Sequence, residues 1–307
     1  MEQDVLGADY ESIRLPLDDD AEGEVVATLV RRRATGRKAV LYVHGFVDYF
    51  FQTHLADFYF ERGYSFYALD LRKHGRSLLA HQTPNFARSM SDYFPEIDEA
   101  VRLIRADNDV LLLSGHSTGG LVAALWADQV RGQGLIGGLF LNSPFLELNV
   151  PAAVRRIAGP LVRVVAKGRP TMVFPAGVSE AYVRSIHRDH QGEWDFDLAW
   201  KPARGFPMRF GWLAAIMRAH RRVHAGLGVD VPILVMASTH SARGKKGDLT
   251  IADGVLNADD IARWSTRLGP HVTCVRIGGG LHDLVLSAEP VRARVFDELD
   301  RWLSAYL

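Results

Sequence analysis

Cysteine is almost absent from this 307-residue chain, in which Cys274 is the single example. One cysteine excludes an intrachain disulfide and also excludes a zinc site built from cysteines. Cys274 lies in the middle of a predicted strand, so we expect its thiol to be buried and unreactive. A chain of this length buries about 75% of its unfolded surface and folds without either kind of cross-link.

An excess of charge is also absent, because 36 Lys and Arg residues balance 36 Asp and Glu residues. Nucleic-acid-binding proteins usually carry a basic excess, and binding to anionic membranes also depends on basic residues. Zero net charge therefore argues against both partners.

No apolar run approaches the roughly 18 residues of a transmembrane segment, and residues 1–4 lack the positive charge of a signal peptide. We expect a soluble, cytoplasmic protein, and the oligomeric state stays open.

Short apolar segments alternate with amphipathic ones through most of the chain. This pattern predicts an α/β fold with a mostly parallel, eight-stranded sheet flanked by helices. An antiparallel pair joined by an acidic turn at residues 18–23 comes first. The predicted strands are residues 10–17, 24–30, 38–43, 65–71, 110–113, 139–141, 232–237 and 272–277. The predicted helices are residues 55–62, 92–105, 121–130, 258–268 and 290–303.

The alternation stops between residues 145 and 228. An insertion of this length predicts a helical cap, which would divide the core into residues 1–144 and 229–307. Residues 152–167 place Val154, Ile157, Leu161 and Val165 on one face of a helix, which Pro160 should kink or split. We expect that face to pack on the core of the cap. Alternatively, it covers a substrate or rests on a lipid surface. Large apolar side chains of residues 206–223 either line an acyl pocket or fill the cap.

A candidate nucleophile lies in the stretch Gly115-His116-Ser117-Thr118-Gly119, which matches the pattern G-x-S-x-G. The match follows one predicted strand and precedes a predicted helix, which is the context that this motif requires. A sharp turn there would hold the Ser117 hydroxyl above the edge of the sheet. The sequence therefore predicts a nucleophilic serine.

A serine hydroxyl is a weak nucleophile and needs a base. His282 is the candidate, because it follows three glycines directly after the last predicted strand. That strand ends at the same edge of a parallel sheet as Ser117. Two backbone N–H groups should bind the oxyanion. We expect those of Thr118 and of Phe46, which follows His44-Gly45 at the end of another strand.

Taken together, these motifs resemble those of the α/β-hydrolase superfamily. His44-Gly45, the serine motif and His282 occur in that superfamily's order. Residues 69–77 are similar to the D-x-R-G-H-G-x-S stretch of the monoacylglycerol lipase and lysophospholipase branch, which is also described as serine aminopeptidase-like. Lys73 departs from that stretch, in which glycine is usual. The resemblance implies the fold and a Ser–acid–His triad that hydrolyses esters, amides or thioesters.

The sequence offers several candidates for the acidic member of the triad. The order of the superfamily puts it after the strand at residues 232–237. Asp253 is favoured, because Asp253-Gly254-Val255-Leu256 resembles a D-x-V-V segment of relatives and directly precedes a predicted helix. Asp248 is the first alternative. Glu147 and Asp259 are weaker ones.

These residues together predict a serine carboxylic-ester hydrolase that forms an acyl-enzyme on Ser117. The expected substrate is a small-molecule ester with an apolar acyl group, either of the lipid type, such as a monoacylglycerol or lysophospholipid, or a small ester. No cofactor and no metal are implied. The alternatives are an amide or peptide hydrolase, an acyltransferase, or a non-catalytic binding scaffold. An aminopeptidase would need an acidic group for the substrate amine, for which the cap offers Glu180, Glu193, Asp195 and Asp197.

Overall fold

A single twisted sheet runs through the protein. The computed structural model describes residues 2–175, 180–242 and 249–307, and in these ranges the sheet has nine strands in the order β1-β2-β3-β5-β4-β6-β7-β8-β9. The strands are β1 (Glu2–Gln3), β2 (Glu11–Asp20), β3 (Gly23–Arg32), β4 (Lys38–Val43), β5 (Tyr64–Asp70), β6 (Val110–His116), β7 (Gly138–Asn142), β8 (Ile233–Ser238) and β9 (Val272–Ile277).

The predicted fold class is confirmed. Strands β4 to β9 pair in parallel, whereas β1, β2 and β3 add antiparallel pairings at one edge. The eight predicted strands are all present, and the two-residue β1 is a ninth. The predicted turn at residues 18–23 is too long, because β2 extends to Asp20 and pairs there with Gly23 through a register shift. Gly23 adopts a φ of 103°, which lets the chain turn in two residues.

Eight α-helices lie in the described residues. They are α1 (Thr53–Phe60), α2 (Phe94–Asp107), α3 (Thr118–Gln129), α4 (Ala152–Gly168), α5 (Glu180–Ile186), α6 (Phe210–Ala225), α7 (Ala258–Ser265) and α8 (Glu289–Tyr306). Side chains of α1 and α8 pack on one face of the sheet, and those of α2, α3 and α7 pack on the other. Helices α4, α5 and α6 belong to the segment between β7 and β8, residues 143–232, which we call the helical insertion.

Successive residues of the central strands enter opposite cores. Leu41 and Leu111 contribute to the core that contains α2 and α3, whereas Val40 and Leu112 contribute to the core that contains α1 and α8. This explains why these strands are continuously apolar, since both faces are covered. The prediction that Cys274 is buried is wrong, because β9 is an edge strand and the thiol is exposed.

Helix α4 packs on α6 with only one edge of the face that the sequence predicts. Val162 and Val165 contact an apolar cluster that contains Phe210 and Leu213 of α6. Ile157 and Leu161, which the sequence predicts to be covered, are 79% and 63% exposed. The reason is that Gly159 has no side chain and lets α4 approach α6 closely. A Cβ atom on Gly159 would lie 2.9 Å from Cε of Met217. Close approach at that point turns the larger apolar side chains outward. Pro160 does not split the helix, which runs unbroken over Ala152–Gly168.

The helical insertion is joined to the sheet by a buried ion pair. Nζ of Lys201 lies 2.5 Å from Oδ1 of Asp48, in the loop after β4, and both side chains are almost completely buried. Burial opposes ionisation of Asp48, but the charge of Lys201, its hydrogen bond and the nearby His116 and His44 together outweigh burial and lower the pKa of the carboxyl group. Nearby, the backbone N–H of Asp197 donates to the Tyr49 hydroxyl at 2.6 Å.

Lys73 is the position that departs from the family stretch, and its environment compensates for that departure. Its φ of 62° lies in the left-handed region, where glycine is favoured. Its buried ammonium group lies 2.6 Å from both Asp20 and Glu22 at the β2–β3 turn. Burial would raise the pKa of Glu22, but hydrogen bonds from Lys73 and Thr83 lower it to about 2.

We expect Lys201→Met to destabilise the protein by about 3 to 5 kcal/mol, because Asp48 would keep a buried, unpaired charge. Urea denaturation measures the loss. The double variant Lys201→Met/Asp48→Asn should recover most of it, since no charge then remains buried. Equal losses in the single and double variants would contradict this account of the pair.

We expect Lys73→Met to keep the backbone conformation and to lose about 2 kcal/mol of stability near neutral pH. The carboxylate of Glu22 has a lowered pKa in the folded protein, so its contribution is present above its ordinary value of 4.5 and disappears toward about pH 2. The stability difference between the wild type and the variant should therefore shrink over that interval. Denaturant titrations at several pH values measure it, and a pH-independent difference would contradict the proposed pairing.

Candidate active site

Ser117 occupies the sharp turn between β6 and α3. Its φ of 53° and ψ of −118° are unusual for a residue with a side chain and cost about 1 to 3 kcal/mol. Two hydrogen bonds hold the turn: the Ser117 N–H donates to the carbonyl of Asn142 at 3.0 Å, and the Phe145 N–H donates to the carbonyl of Ser117 at 2.9 Å. The side chain is thereby held at the carboxyl edge of the parallel strands.

The glycines of the motif allow backbones to approach each other at this turn. A Cβ atom on Gly115 would lie 2.7 Å from the carbonyl oxygen of Gly119. One on Gly119 would clash with the carbonyl oxygens at the end of β4. The G-x-S-x-G spacing is thus a packing requirement of the turn.

The structure brings together three predicted residues from three separate loops. Nε2 of His282 lies 3.0 Å from Oγ of Ser117, and Nδ1 of His282 lies 3.0 Å from Oδ2 of Asp253. The other oxygen of Asp253 accepts the N–H groups of Val255 and Leu256, each at 2.8 Å. All three side chains are buried. A proton on Nδ1 directed at the carboxylate leaves Nε2 free to accept the Ser117 proton.

The alternatives for the acidic residue have other environments. Glu147 pairs with Arg155 at 3.2 Å, and Asp259 pairs with Arg276 at 3.0 Å. Asp248 lies outside the described residues. Among the candidates that the structure describes, Asp253 is the one in contact with His282.

The predicted oxyanion donors lie beside Ser117. Thr118 is the first residue of α3, so its N–H group points away from the hydrogen-bonded part of the helix. Phe46 follows Gly45, whose Cβ position would be 3.1 Å from Cβ of Ser117. Within the described part of the chain, neither N–H group donates to a protein acceptor. Both remain available to an oxygen atom of a ligand.

Two further predicted residues, His44 and His116, support the loops around Ser117. Nε2 of His44 accepts the N–H of Leu71 at 3.0 Å, so its proton is on Nδ1, which donates to the carbonyl of Gly45 at 2.8 Å. This ties the loop after β4 to the loop after β5. The ring of His116 lies 4.9 Å from that of His282. Burial lowers the pKa of His116, which keeps this neighbouring ring neutral.

A buried polar network lies behind His282, and the residues that surround Asp283 in it could not be identified from the sequence. Asp283 accepts hydrogen bonds from the amides of Asn142 at 2.7 Å and Gln52 at 3.1 Å. Its N–H donates to the hydroxyl of Tyr182 at 3.1 Å. Tyr182 belongs to α5 of the helical insertion, and its ring lies 5.7 Å from that of His282. No motif marks Tyr182 or Gln52, because their roles arise only when distant segments pack together.

A cleft of about 320 Å³ opens above Ser117. Asp48 and Lys201 are the acidic and basic side chains, other than histidine, that line it in the described residues, and they are paired with each other. Of the side chains expected for an acyl pocket in residues 206–223, Trp212 lines the cleft, whereas Phe210 and Leu213 pack against α4. Large apolar side chains form much of the wall: Phe46, Phe145, Met208, Trp212, Val255 and Leu256.

The described residues contain no group of three or more His, Cys, Asp or Glu side chains that could hold a metal ion. None of their helices has the length and apolar character needed to cross a membrane.

Solved structures with the same architecture include several lipases and esterases. A soluble variant of monoglyceride lipase from Saccharomyces cerevisiae, in complex with a substrate analog, has 16% identity and a TM-score of 0.67, with 97% of each chain covered. A monoacylglycerol lipase from Paleococcus ferrophilus has 17% identity and a TM-score of 0.69, with 91% of this chain and 98% of that one covered. A thermostable carboxyl esterase from Bacillus coagulans, in complex with glycerol, has 16% identity and a TM-score of 0.64, with 96% and 98% covered. At these identities, the likeness establishes the fold.

No curated protein matches the chain in sequence. A family described as serine aminopeptidase, S33, matches residues 34–245, which include β4, the Ser117 turn and the whole helical insertion. This match covers more than half of the chain and confirms the predicted branch. The chain therefore belongs to the serine aminopeptidase S33 family of α/β-hydrolases.

Proposed function

We propose that the protein is a serine carboxylic-ester hydrolase. The observation that carries this proposal is the continuous chain of hydrogen bonds from Asp253 through His282 to Ser117, which ends at the base of an apolar cleft. A buried Ser–His–Asp arrangement of this kind activates a serine for attack on an acyl carbonyl.

In the proposed reaction, Oγ of Ser117 attacks the ester carbonyl while Nε2 of His282 takes the hydroxyl proton. Asp253 keeps the Nδ1 proton in place and stabilises the positive charge that forms on the ring. His282 then gives its proton to the departing alcohol, which leaves an acyl group on Ser117. A water molecule, deprotonated by His282, attacks that acyl group and releases the acid and the free serine.

The N–H groups of Phe46 and Thr118 are the proposed donors to the oxyanion. They are well suited because neither has to break a protein hydrogen bond within the described residues. The N-terminus of α3 adds its positive partial charge at the same point. Preorganised donors of this kind are worth about 100- to 1,000-fold in rate.

The composition of the cleft favours an ester with an apolar acyl group. Trp212 stacks against Phe46 with 4.0 Å between ring centroids, and Met208 and Phe145 extend this wall. Burial of an acyl chain against such side chains favours binding, because it removes apolar surface from water. Lipid-type esters, such as monoacylglycerols or lysophospholipids, and small apolar esters both fit this chemistry.

The charges around the cleft disfavour a substrate with a free amino terminus. The four acidic residues considered for that role are absent from the described cleft lining. Glu193 pairs with Arg292, and Asp195 pairs with Arg188. Asp48 does line the cleft, but Lys201 already neutralises it. A substrate ammonium group would therefore lack an unpaired carboxylate, although the family is described as serine aminopeptidase.

We also propose the domain division into a core of residues 1–144 and 229–307 and a cap of residues 145–228. Support comes from α4, α5 and α6, which all lie between β7 and β8. Tyr182, Lys201 and Trp212 of this segment line the cleft over Ser117. In this arrangement the cap shapes the substrate site and the core supplies the reacting groups.

We expect Ser117→Ala to reduce hydrolysis of p-nitrophenyl esters on the order of 10⁶-fold, because the nucleophile is removed. Rates should be measured over a series from acetate to palmitate, with Ser91→Ala, an exposed serine, as the matched control. A fluorophosphonate should label Ser117 in the wild type and leave Ser117→Ala unlabelled. Retained activity in Ser117→Ala would contradict the proposal, and a wild type that is neither active nor labelled would favour a binding scaffold. Analysis of the products with an added alcohol distinguishes acyl transfer from hydrolysis.

We expect Asp253→Asn to lower kcat by about 10⁴-fold. The asparagine amide would turn an N–H toward Nδ1 of His282, so the ring proton would move to Nε2 and the base would be lost. Asp248→Asn and Asp259→Asn are the matched controls and should remain near wild-type activity. A large loss in Asp248→Asn, with Asp253→Asn active, would show that the acidic residue is Asp248.

A further inference from the structure

Helix α4 exposes a continuous apolar stripe to solvent. Ile157, Leu161 and Val164 are 79%, 63% and 71% exposed. Val154 continues the row with the same spacing of three and four residues, which places these four on one face of the helix. Val150, which is 43% exposed, lies two residues before the helix begins. Exposed apolar residues on a monomer are usually scattered, whereas a contiguous row marks an interaction surface.

The charge around this stripe is strongly positive. Residues 148–175 and 205–229, which contain α4 and α6, include nine Lys and Arg residues and no Asp or Glu. The compensating acidic excess lies elsewhere in the chain. Arg155 pairs with Glu147 and Arg222 with Asp128. Seven of the nine form no ion pair with a described acidic residue: Arg156, Arg163, Lys167, Arg169, Arg209, Arg218 and Arg221.

The apolar and basic side chains occupy separate sides of α4. Gly159 and Val162 face α6 and are buried. Arg156, Arg163 and Lys167 are exposed and are spaced by seven and four residues, so they form a row along one flank of the stripe. A helix with one apolar exposed side and a basic flank has the form of an interfacial amphipathic helix.

We propose that this α4 surface, formed by Val150, Val154, Ile157, Leu161, Val164, Arg156, Arg163 and Lys167, docks on an anionic lipid bilayer. The apolar side chains would insert between headgroups while the basic side chains pair with phosphate groups. Zero net charge does not oppose this, because a charge acts over a Debye length of roughly 8 to 10 Å and the local surface is basic. A second copy of the chain is a poorer occupant, since a symmetric contact would bring two basic surfaces together.

Docking of this surface would bring the cleft close to the bilayer. Asn149 directly precedes Val150 in the chain, lines the cleft and donates from its side chain to the carbonyl of Val255 at 3.0 Å. The beginning of the stripe is therefore continuous with the rim of the cleft. Docking itself does not require chemistry at Ser117, so it can be tested independently of the proposed function.

The experiment is co-sedimentation of the full-length protein with vesicles. Vesicles of phosphatidylcholine alone are compared with vesicles of phosphatidylcholine and phosphatidylglycerol, at low and high salt. We expect binding to the anionic vesicles, weakening as salt rises, and much less binding to the neutral vesicles. No sedimentation with anionic vesicles, or equal binding to both types, would overturn the proposal.

Two variants assign the binding to the α4 surface. Arg156→Gln/Arg163→Gln/Lys167→Gln should weaken binding to anionic vesicles on the order of 100-fold. Ile157→Ser/Leu161→Ser should weaken it by a similar factor through lost apolar burial. The matched controls on the core surface are Arg33→Gln/Arg37→Gln/Arg102→Gln and Val5→Ser, and both should bind as the wild type does.

All four variants should hydrolyse a dissolved short-chain ester at the wild-type rate, because none alters the cleft lining. Wild-type vesicle binding by both α4 variants would overturn the proposal even if hydrolysis is confirmed. Sedimentation velocity adds a separate outcome: a dimer that Ile157→Ser/Leu161→Ser dissociates would assign the surface to a second copy instead. If the wild type binds vesicles but hydrolyses no ester, the proposed function fails and the docking surface stands.

Discussion

The left-handed backbone of Ser117 is the constraint on which the site depends. A residue with φ of 53° must be held by its surroundings, and here hydrogen bonds involving Asn142 and Phe145 provide that support. The turn also requires backbone contact with the end of β4, which only glycines permit. The same contact places the N–H groups of Phe46 and Thr118 beside the serine. One strained residue therefore determines the position of the hydroxyl and of the proposed oxyanion donors together.

Buried lysines connect peripheral segments to this edge of the sheet. Lys201 joins the helical insertion to the loop that carries Phe46, through Asp48. Lys73 joins the loop after β5 to the β2–β3 turn, through Asp20 and Glu22. Each pair loses hydration on burial, and removal of one partner alone leaves an uncompensated charge. In the cleft, the ion pair with Lys201 also prevents Asp48 from binding a cationic substrate. This is the main electrostatic reason to favour an ester.

Charge is distributed unevenly over a chain whose total charge is zero. The segments around α4 and α6 contain basic residues and no acidic ones, while the cleft wall beside them is mostly apolar. Although the net charge of the chain is zero, the protein therefore has a basic, partly apolar outer surface next to an apolar cleft. This combination relates the proposed ester chemistry to the proposed bilayer surface, because apolar substrates concentrate in bilayers.

The sequence by itself determined the order of the core helices and of the strands from β2 to β9, the family, and the residues Ser117, His282 and Asp253 as candidates. It could do so because apolar periodicity and glycine spacing are local consequences of backbone geometry. Only the tertiary structure decided which acidic residue contacts His282, since Asp253, Glu147 and Asp259 differ in partners that lie far along the chain. It alone decided that Cys274 is exposed, because an edge strand and a central strand have similar sequences. It also decided that α4 turns Ile157 and Leu161 outward, because helix periodicity gives an apolar face but not the neighbour that covers it.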